Sequence, residues 1–171
     1  MNGKNIQAEK AKLLRGYGRF FLRLFVLFLV LWSLFHFVFL LCQAKGLDMF
    51  PAVRDGDLIV AYRLNRNYQR NDIVVCRVNG ERIISRVAAV AGDTVEITED
   101  GVLLINGGIQ SGEILFPTEP GEGRYPLQLS AGSLYLLGDY RTDCEDSRSF
   151  GAVTLSQVEG KVITLLRRRG L

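Results

Sequence analysis

The hydrophobic pattern of the chain has two regimes. From Leu24 to Cys42, nineteen residues are apolar except Ser33 and His36, and five Phe and Trp32 lie among them. At about 1.5 Å per residue this nearly matches a hydrocarbon core of roughly 30 Å, and Phe20 to Leu22 extend it. The pattern predicts one transmembrane helix, assigned to residues 24–43. A cleaved signal peptide would have a shorter apolar core, about 7 to 15 residues, and a small-x-small cleavage site. Leu41-Cys42-Gln43-Ala44-Lys45 offers no such site, so the segment reads as an uncleaved anchor. His36, mid-span, reads as a neutral imidazole facing a neighbour, with a functional intramembrane site as the sharper alternative.

After the anchor, short β-rich runs separated by turn signals take over: 57–62, 72–78, 82–91, 94–98, 102–105, 133–137 and 161–166. Asn79-Gly80 predicts a two-residue hairpin turn, since both residue types tolerate the positive φ that a type I′ turn demands. Asp100-Gly101 is read as the same device. Residues 110–125, rich in Gly, Pro and Glu, read as an irregular insertion. The fold class expected is therefore mainly β: an antiparallel domain over 44–171, preceded by one transmembrane α-helix (24–43) and a basic N-terminus (1–23).

Charge fixes the expected direction of the anchor. Residues 1–23 carry six basic residues (Lys4, Lys10, Lys12, Arg15, Arg19, Arg23) against the single acid Glu9, whereas the rest of the chain has 15 basic and 17 acidic residues. Positive charge concentrated beside an apolar run argues against nucleic acid as a partner. It argues for a cytoplasmic N-terminus and an extracytoplasmic β domain in a single-pass cell-membrane protein. The tail Arg167-Arg168-Arg169 reads as a solvated cluster or a contact with anionic headgroups.

The inventory of the β domain restricts its chemistry. Residues 44–171 contain no His and only two Lys, Lys45 and Lys161. A Ser-His-Asp or Cys-His arrangement lacks its imidazole. A zinc site lacks its usual ligands, and no phosphate-cradling loop occurs, so neither metal nor cofactor is expected. A Cys76–Cys144 disulfide is open outside the cell, but spacing does not establish it.

Four blocks in order resemble the bacterial type I signal peptidase family, membrane-anchored Ser-Lys proteases that remove signal peptides at the outer face of the membrane. Gly46-Leu47-Asp48-Met49-Phe50-Pro51-Ala52 is similar to the nucleophile block Ser-Met-x-Pro-Thr, with Asp48 where serine belongs. Asn71-Asp72-Ile73-Val74-Val75 resembles Gly-Asp-Ile-Val-Val. Ser85-Arg86-Val87, then Ala91-Gly92-Asp93-Thr94-Val95, resembles the lysine block, with Ser85 in place of the general-base lysine. Gly138-Asp139-Tyr140-Arg141, then Asp146-Ser147-Arg148-Ser149-Phe150-Gly151, resembles the last block, with Cys144 replacing a serine that helps orient the lysine.

The resemblance implies ion pairs Arg86–Asp139 and Asp146–Arg148 as structural elements. It also implies a peptide groove with Asp48, Met49, Pro51, Ser85 and Cys144 as candidates. No catalytic residue is expected: a carboxylate at position 48 has no hydroxyl to activate, and an unassisted Ser85 accepts no proton near neutral pH. The chain further resembles the signal-peptidase-like proteins of Gram-positive pilus gene clusters, which share an aspartate at the nucleophile position. That likeness implies a peptide-binding or chaperone role in pilus assembly, with a pilin precursor or the pilin-linking sortase as partner. The rival is an active signal peptidase using an unusual pair, Ser85 with Asp48 or Lys45.

Overall fold

The computed structural model describes residues 3–110, 117–142 and 144–167. The expected insertion at 110–125 is thus described only in part, and Arg168 and Arg169 lie outside the described residues. The chain divides into two compact units, Met1–Val38 and Phe39–Leu171.

The first unit is the helix α1 (Gly3–Ser33), whose last turn widens into a π-helical segment at Leu34–Val38. Within it, Leu13–Val38 is long and apolar enough to cross a membrane. Its large apolar side chains from Leu13 to Phe37 are exposed, the disposition lipid favours and water penalises. His36 stacks on Trp32, one helical turn earlier, with ring centroids 5.3 Å apart. The apolar run does not stay helical to residue 43 as its composition predicts. Phe39–Gln43 forms a strand, β1, paired in register with β2 (Leu58–Tyr62), and Leu40 enters the core. Hydrophobicity alone cannot separate the two states; the ladder with β2 does.

The second unit is mainly antiparallel β. Besides β1 and β2 it comprises β3 (Ile73–Val78), β4 (Glu81–Val90), β5 (Thr94–Ile97), β6 (Leu103–Ile105), β7 (Gly108–Ile109) and β8 (Leu127–Gln128). Then come β9 (Ser133–Leu137), the one-turn helix α2 (Ser147–Phe150), β10 (Val153–Thr154) and β11 (Val158–Leu166). The seven-stranded sheet has the order β1-β2-β11-β3-β4-β9-β10, and a four-stranded sheet the order β7-β6-β5-β8. The pattern of the sequence located β2, β3, β4, β5, β6, β9 and most of β11. It passed over β1, β7, β8, β10 and α2.

The turns explain the hairpins. Asn79 (φ 51°) and Gly80 (φ 87°) join β3 to β4 with Val78 opposite Glu81, the two-residue turn expected. Asp100-Gly101 differs from expectation. Only Gly101 has positive φ, and the Thr98 N–H donates to the Val102 carbonyl at 3.0 Å, which leaves a three-residue loop. Asn106-Gly107, unremarked in the sequence, is the pair that makes a two-residue turn, between β6 and β7.

A buried carboxylate joins the two sheets. Asp93, in the β4–β5 turn, accepts from Arg70 Nε (2.9 Å), Asn106 Nδ2 (2.9 Å) and the Val90 N–H (2.9 Å). The Arg70 guanidinium, with help from the Val90 and Asn106 donors, holds its pKa down to about 2 against the desolvation that opposes it. A depressed carboxylate pKa contributes stability above the unfolded value of about 4 and loses it as pH falls toward 2. Because Arg70 is nearly half exposed, the contribution is about 1 kcal/mol rather than the full linkage value. Asp93→Asn should lower the melting temperature at neutral pH, and the gap to the native chain should close between about pH 4 and pH 2. A gap independent of pH in a thermal melt series would assign Asp93 a purely steric role.

Candidate functional site

The residues that carry the four blocks meet at one end of the large sheet. Asp48 sits in a turn leaving β1, where the Gly46 N–H donates to Asp55 Oδ1 (3.0 Å) and the Val53 N–H to the Met49 carbonyl (2.8 Å). Met49 anchors that turn in the core, 3% exposed, with Val53 and Ile59. The Tyr140 N–H donates to the Asp48 carbonyl at 2.9 Å, which ties the first block to the last.

Gly138 makes this junction possible. A Cβ there would lie 2.5 Å from Cys144 Sγ and 2.8 Å from the Asp48 carbonyl oxygen, so only glycine lets the three segments converge. In the β4–β9 ladder Arg86 faces Leu137, so Ser85 and Gly138 are the residues at which the paired ladder ends. Asp48 and Cys144 are therefore brought together at Gly138, although they are distant in sequence, and Ser85 lies where the adjoining ladder ends.

Ser85 is 3% exposed, and its Oγ has no hydrogen-bond partner among the described residues. A buried hydroxyl normally finds one, because leaving it unpaired costs about 1 to 3 kcal/mol. The orphan marks the position where the resemblance puts a lysine. Around it the polar network is closed. Arg86 holds Asp139 bidentately, Nε–Oδ1 2.7 Å and Nη2–Oδ2 2.6 Å, and also donates to the Asn71 carbonyl at 2.9 Å. Asp146, 1% exposed, caps α2 by accepting from the Arg148 N–H at 3.0 Å. It also accepts from Arg148 Nε (2.8 Å), the Gly138 N–H (3.2 Å) and the Cys144 thiol (3.1 Å).

Burial, reinforced by the Asp146 carboxylate, pushes the Cys144 thiol up to about 12. It is a hydrogen-bonding group near neutral pH, not a nucleophile. Cys76, fully buried in β3, is likewise pushed up to about 12, chiefly by desolvation. Both cysteines are free, so the structure does not form the disulfide left open by the sequence. Arg141, within the last block but given no role by the sequence, is 5% exposed. It donates to the Gly138 carbonyl (2.7 Å) and Thr118 Oγ1 (2.7 Å), and burial lowers its pKa.

In front of this junction lies a cleft of about 680 Å³. Cys42, Gln43 and Lys45 line it from the β1 side, Glu81 to Ile84 from β4, and Asp48 and Glu145 complete it. Both flanking strands present unpaired edges. β1 ends the sheet, and the β4–β9 ladder begins only at Arg86, leaving 81–85 unpaired on that side. Of the five groove candidates, Asp48 lines the cleft. Met49 points into the core, Pro51 is exposed away from the lining, Ser85 is buried, and Cys144 packs against Gly138.

In chain order, a membrane-span helix is followed by an antiparallel β domain that carries a strand-edged cleft. Residues 17–166 match the family model described as signal peptidase, peptidase S26, and the chain belongs to that family. It is 30% identical to signal peptidase I of Bacillus caldolyticus over 159 residues, 81% of this chain and 85% of the relative. It is 28% identical over 130 residues to the mitochondrial ATP-independent inner membrane protease subunit 1b of Arabidopsis thaliana, 72% of this chain and 67% of the relative. A crystal structure of a signal peptidase I from Enterococcus faecalis V583 is similar at 33% identity and a TM-score of 0.49, covering 58% of this chain and 98% of that one.

Proposed function

We propose that this chain is a non-catalytic signal-peptidase-like membrane protein whose cleft holds an extended peptide. On this reading it serves as a binding or chaperone factor in pilus assembly at the outer face of the membrane, with a pilin precursor or its sortase as client. The observation that carries the non-catalytic half is the Ser85 hydroxyl. It is buried and hydrogen-bonded to nothing among the described residues, so it is paired with neither Asp48 nor Lys45 as a base would pair with it. At the other position of the dyad, the Asp48 carboxylate has no hydroxyl to offer a peptide carbonyl.

Retention of the surrounding scaffold supports the binding half. The bidentate Arg86–Asp139 pair, the capped α2 and the close approach at Gly138 are all kept beside a cleft flanked by two unpaired strand edges. An extended peptide placed between such edges gains main-chain hydrogen bonds irrespective of any chemistry. The pilus assignment comes from the resemblance at position 48.

The purified full chain should leave a signal-peptide substrate uncut, and Asp48→Ala should not change that background. Cleavage that disappears in Asp48→Ala or Ser85→Ala would promote the active rival. In protoplasts, added protease should remove the β domain, as the basic N-terminus requires; protection of the domain would reverse the topology.

A further inference from the structure

Beside the cleft is a smaller pocket, about 250 Å³, that the peptidase comparison leaves without a role. Its apolar surface is Val78, Ile83 and Phe150, and its carboxylates are Glu81 and Glu145. Glu81, Ile83 and Glu145 also line the large cleft, so the two spaces are contiguous. The hairpin turn at Asn79-Gly80 explains the arrangement. It sets Val78 opposite Glu81, and Ile83 follows on the same face two residues along β4.

The basic residues of that hairpin do not neutralise the acids. Arg77 and Arg82 both bind Glu159, at 2.7 and 2.6 Å. Lys45 lines the cleft but not the pocket. Among the described residues, Glu81 and Glu145 take part in no ion pair, and both are exposed.

The pocket thus has hydrocarbon walls, two uncompensated carboxylates, and room for a single long side chain. Lysine and arginine have the matching layout, an aliphatic stem that packs on apolar surface and a charged head that stays near water and anions. A small neutral side chain would fill neither part. We infer that this pocket receives a basic side chain of the extended peptide, so the client segment carries a lysine or arginine where it passes Glu81 and Glu145. The inference rests on the peptide-binding reading above and adds a specificity that the small-residue sites of signal peptides would not need.

The test is calorimetric titration of the detergent-solubilised full chain with capped peptides of Ala, Ser and Val. Each peptide carries one lysine, moved through successive central positions, and each has a norleucine counterpart that keeps the stem and lacks the charge. At one position lysine should bind about fivefold to tenfold more tightly than norleucine at low salt, the advantage shrinking at high salt. The double variant Glu81→Gln with Glu145→Gln should erase the advantage, so that lysine and norleucine peptides bind it equally. Equal binding of lysine and norleucine at every position, or an advantage that survives the double variant, overturns the inference while leaving peptide binding intact. Binding of no peptide in the set overturns both the inference and the reading beneath it.

Discussion

The double change Asp48→Ser with Ser85→Lys is expected to produce signal-peptide cleavage where the native chain has none. Positioned general-base catalysis is worth about 10²- to 10⁴-fold, so a gain of at least about 100-fold over background is the expected scale. Neither single change should suffice. Asp48→Ser supplies a hydroxyl with no base. Ser85→Lys places an ammonium near Asp48, and an ion pair there would hold the lysine protonated, the opposite of what a base requires. The present hydroxyl at position 85 has no partner among the described residues to lose, so the new side chain displaces no existing hydrogen bond. Adding Cys144→Ser should raise activity further, since a thiol already committed to Asp146 is an imperfect orienting group. The measurement is cleavage of a good signal-peptide substrate by each purified variant. The expected order is triple above double, with both singles at background. A well-folded triple variant without activity would mean that the cleft itself has diverged, leaving family membership and fold as all that is retained.

Asp146→Ala should be the most damaging single substitution of stability. It removes the carboxylate that faces Arg148 and caps α2, and leaves Arg148 and Arg141, 8% and 5% exposed, without their nearest buried anion. Breaking a buried pair in this way costs about 3 to 5 kcal/mol, a large share of the roughly 5 to 15 kcal/mol that holds a domain together. The melting temperature of the detergent-solubilised chain, followed by near-ultraviolet circular dichroism, should fall by roughly 10 to 20 °C. Asp146→Asn keeps the cap acceptor and the shape, so its loss should be smaller. If alanine and asparagine proved equally mild, the network would be stabilised by packing and not by charge.

What the sequence disclosed depended on whether the information was local. The β3–β4 hairpin was legible because Asn79-Gly80 encodes its own backbone geometry. The two-residue strands β7, β8 and β10 were not, because partners elsewhere in the chain define them. β1 was hidden inside the apolar run, where the same composition serves a lipid-facing helix and a sheet edge. At the site, the altered positions 48, 85 and 144 could be read by resemblance, as could the partners Arg86 with Asp139. Nothing local revealed that Met49 would turn into the core or that Arg141 would be buried against Thr118. Both follow from how the last block folds over the first at Gly138, a contact between residues ninety positions apart.

The thiols of Cys76, buried, and Cys144, half-buried, bear on how this domain endures where it is expected to work. At a pKa of about 12, roughly one thiol in a hundred thousand is ionised near neutral pH, and only the thiolate attacks a disulfide or a peroxide. Cys76 and Cys144 can thus stay reduced for long periods in an oxidising medium without being paired. Durability there is kinetic: it depends on Cys76 staying buried and Cys144 staying half-buried, and any opening of the last block that exposed Cys144 further would lead to mixed-disulfide formation as well as to unfolding.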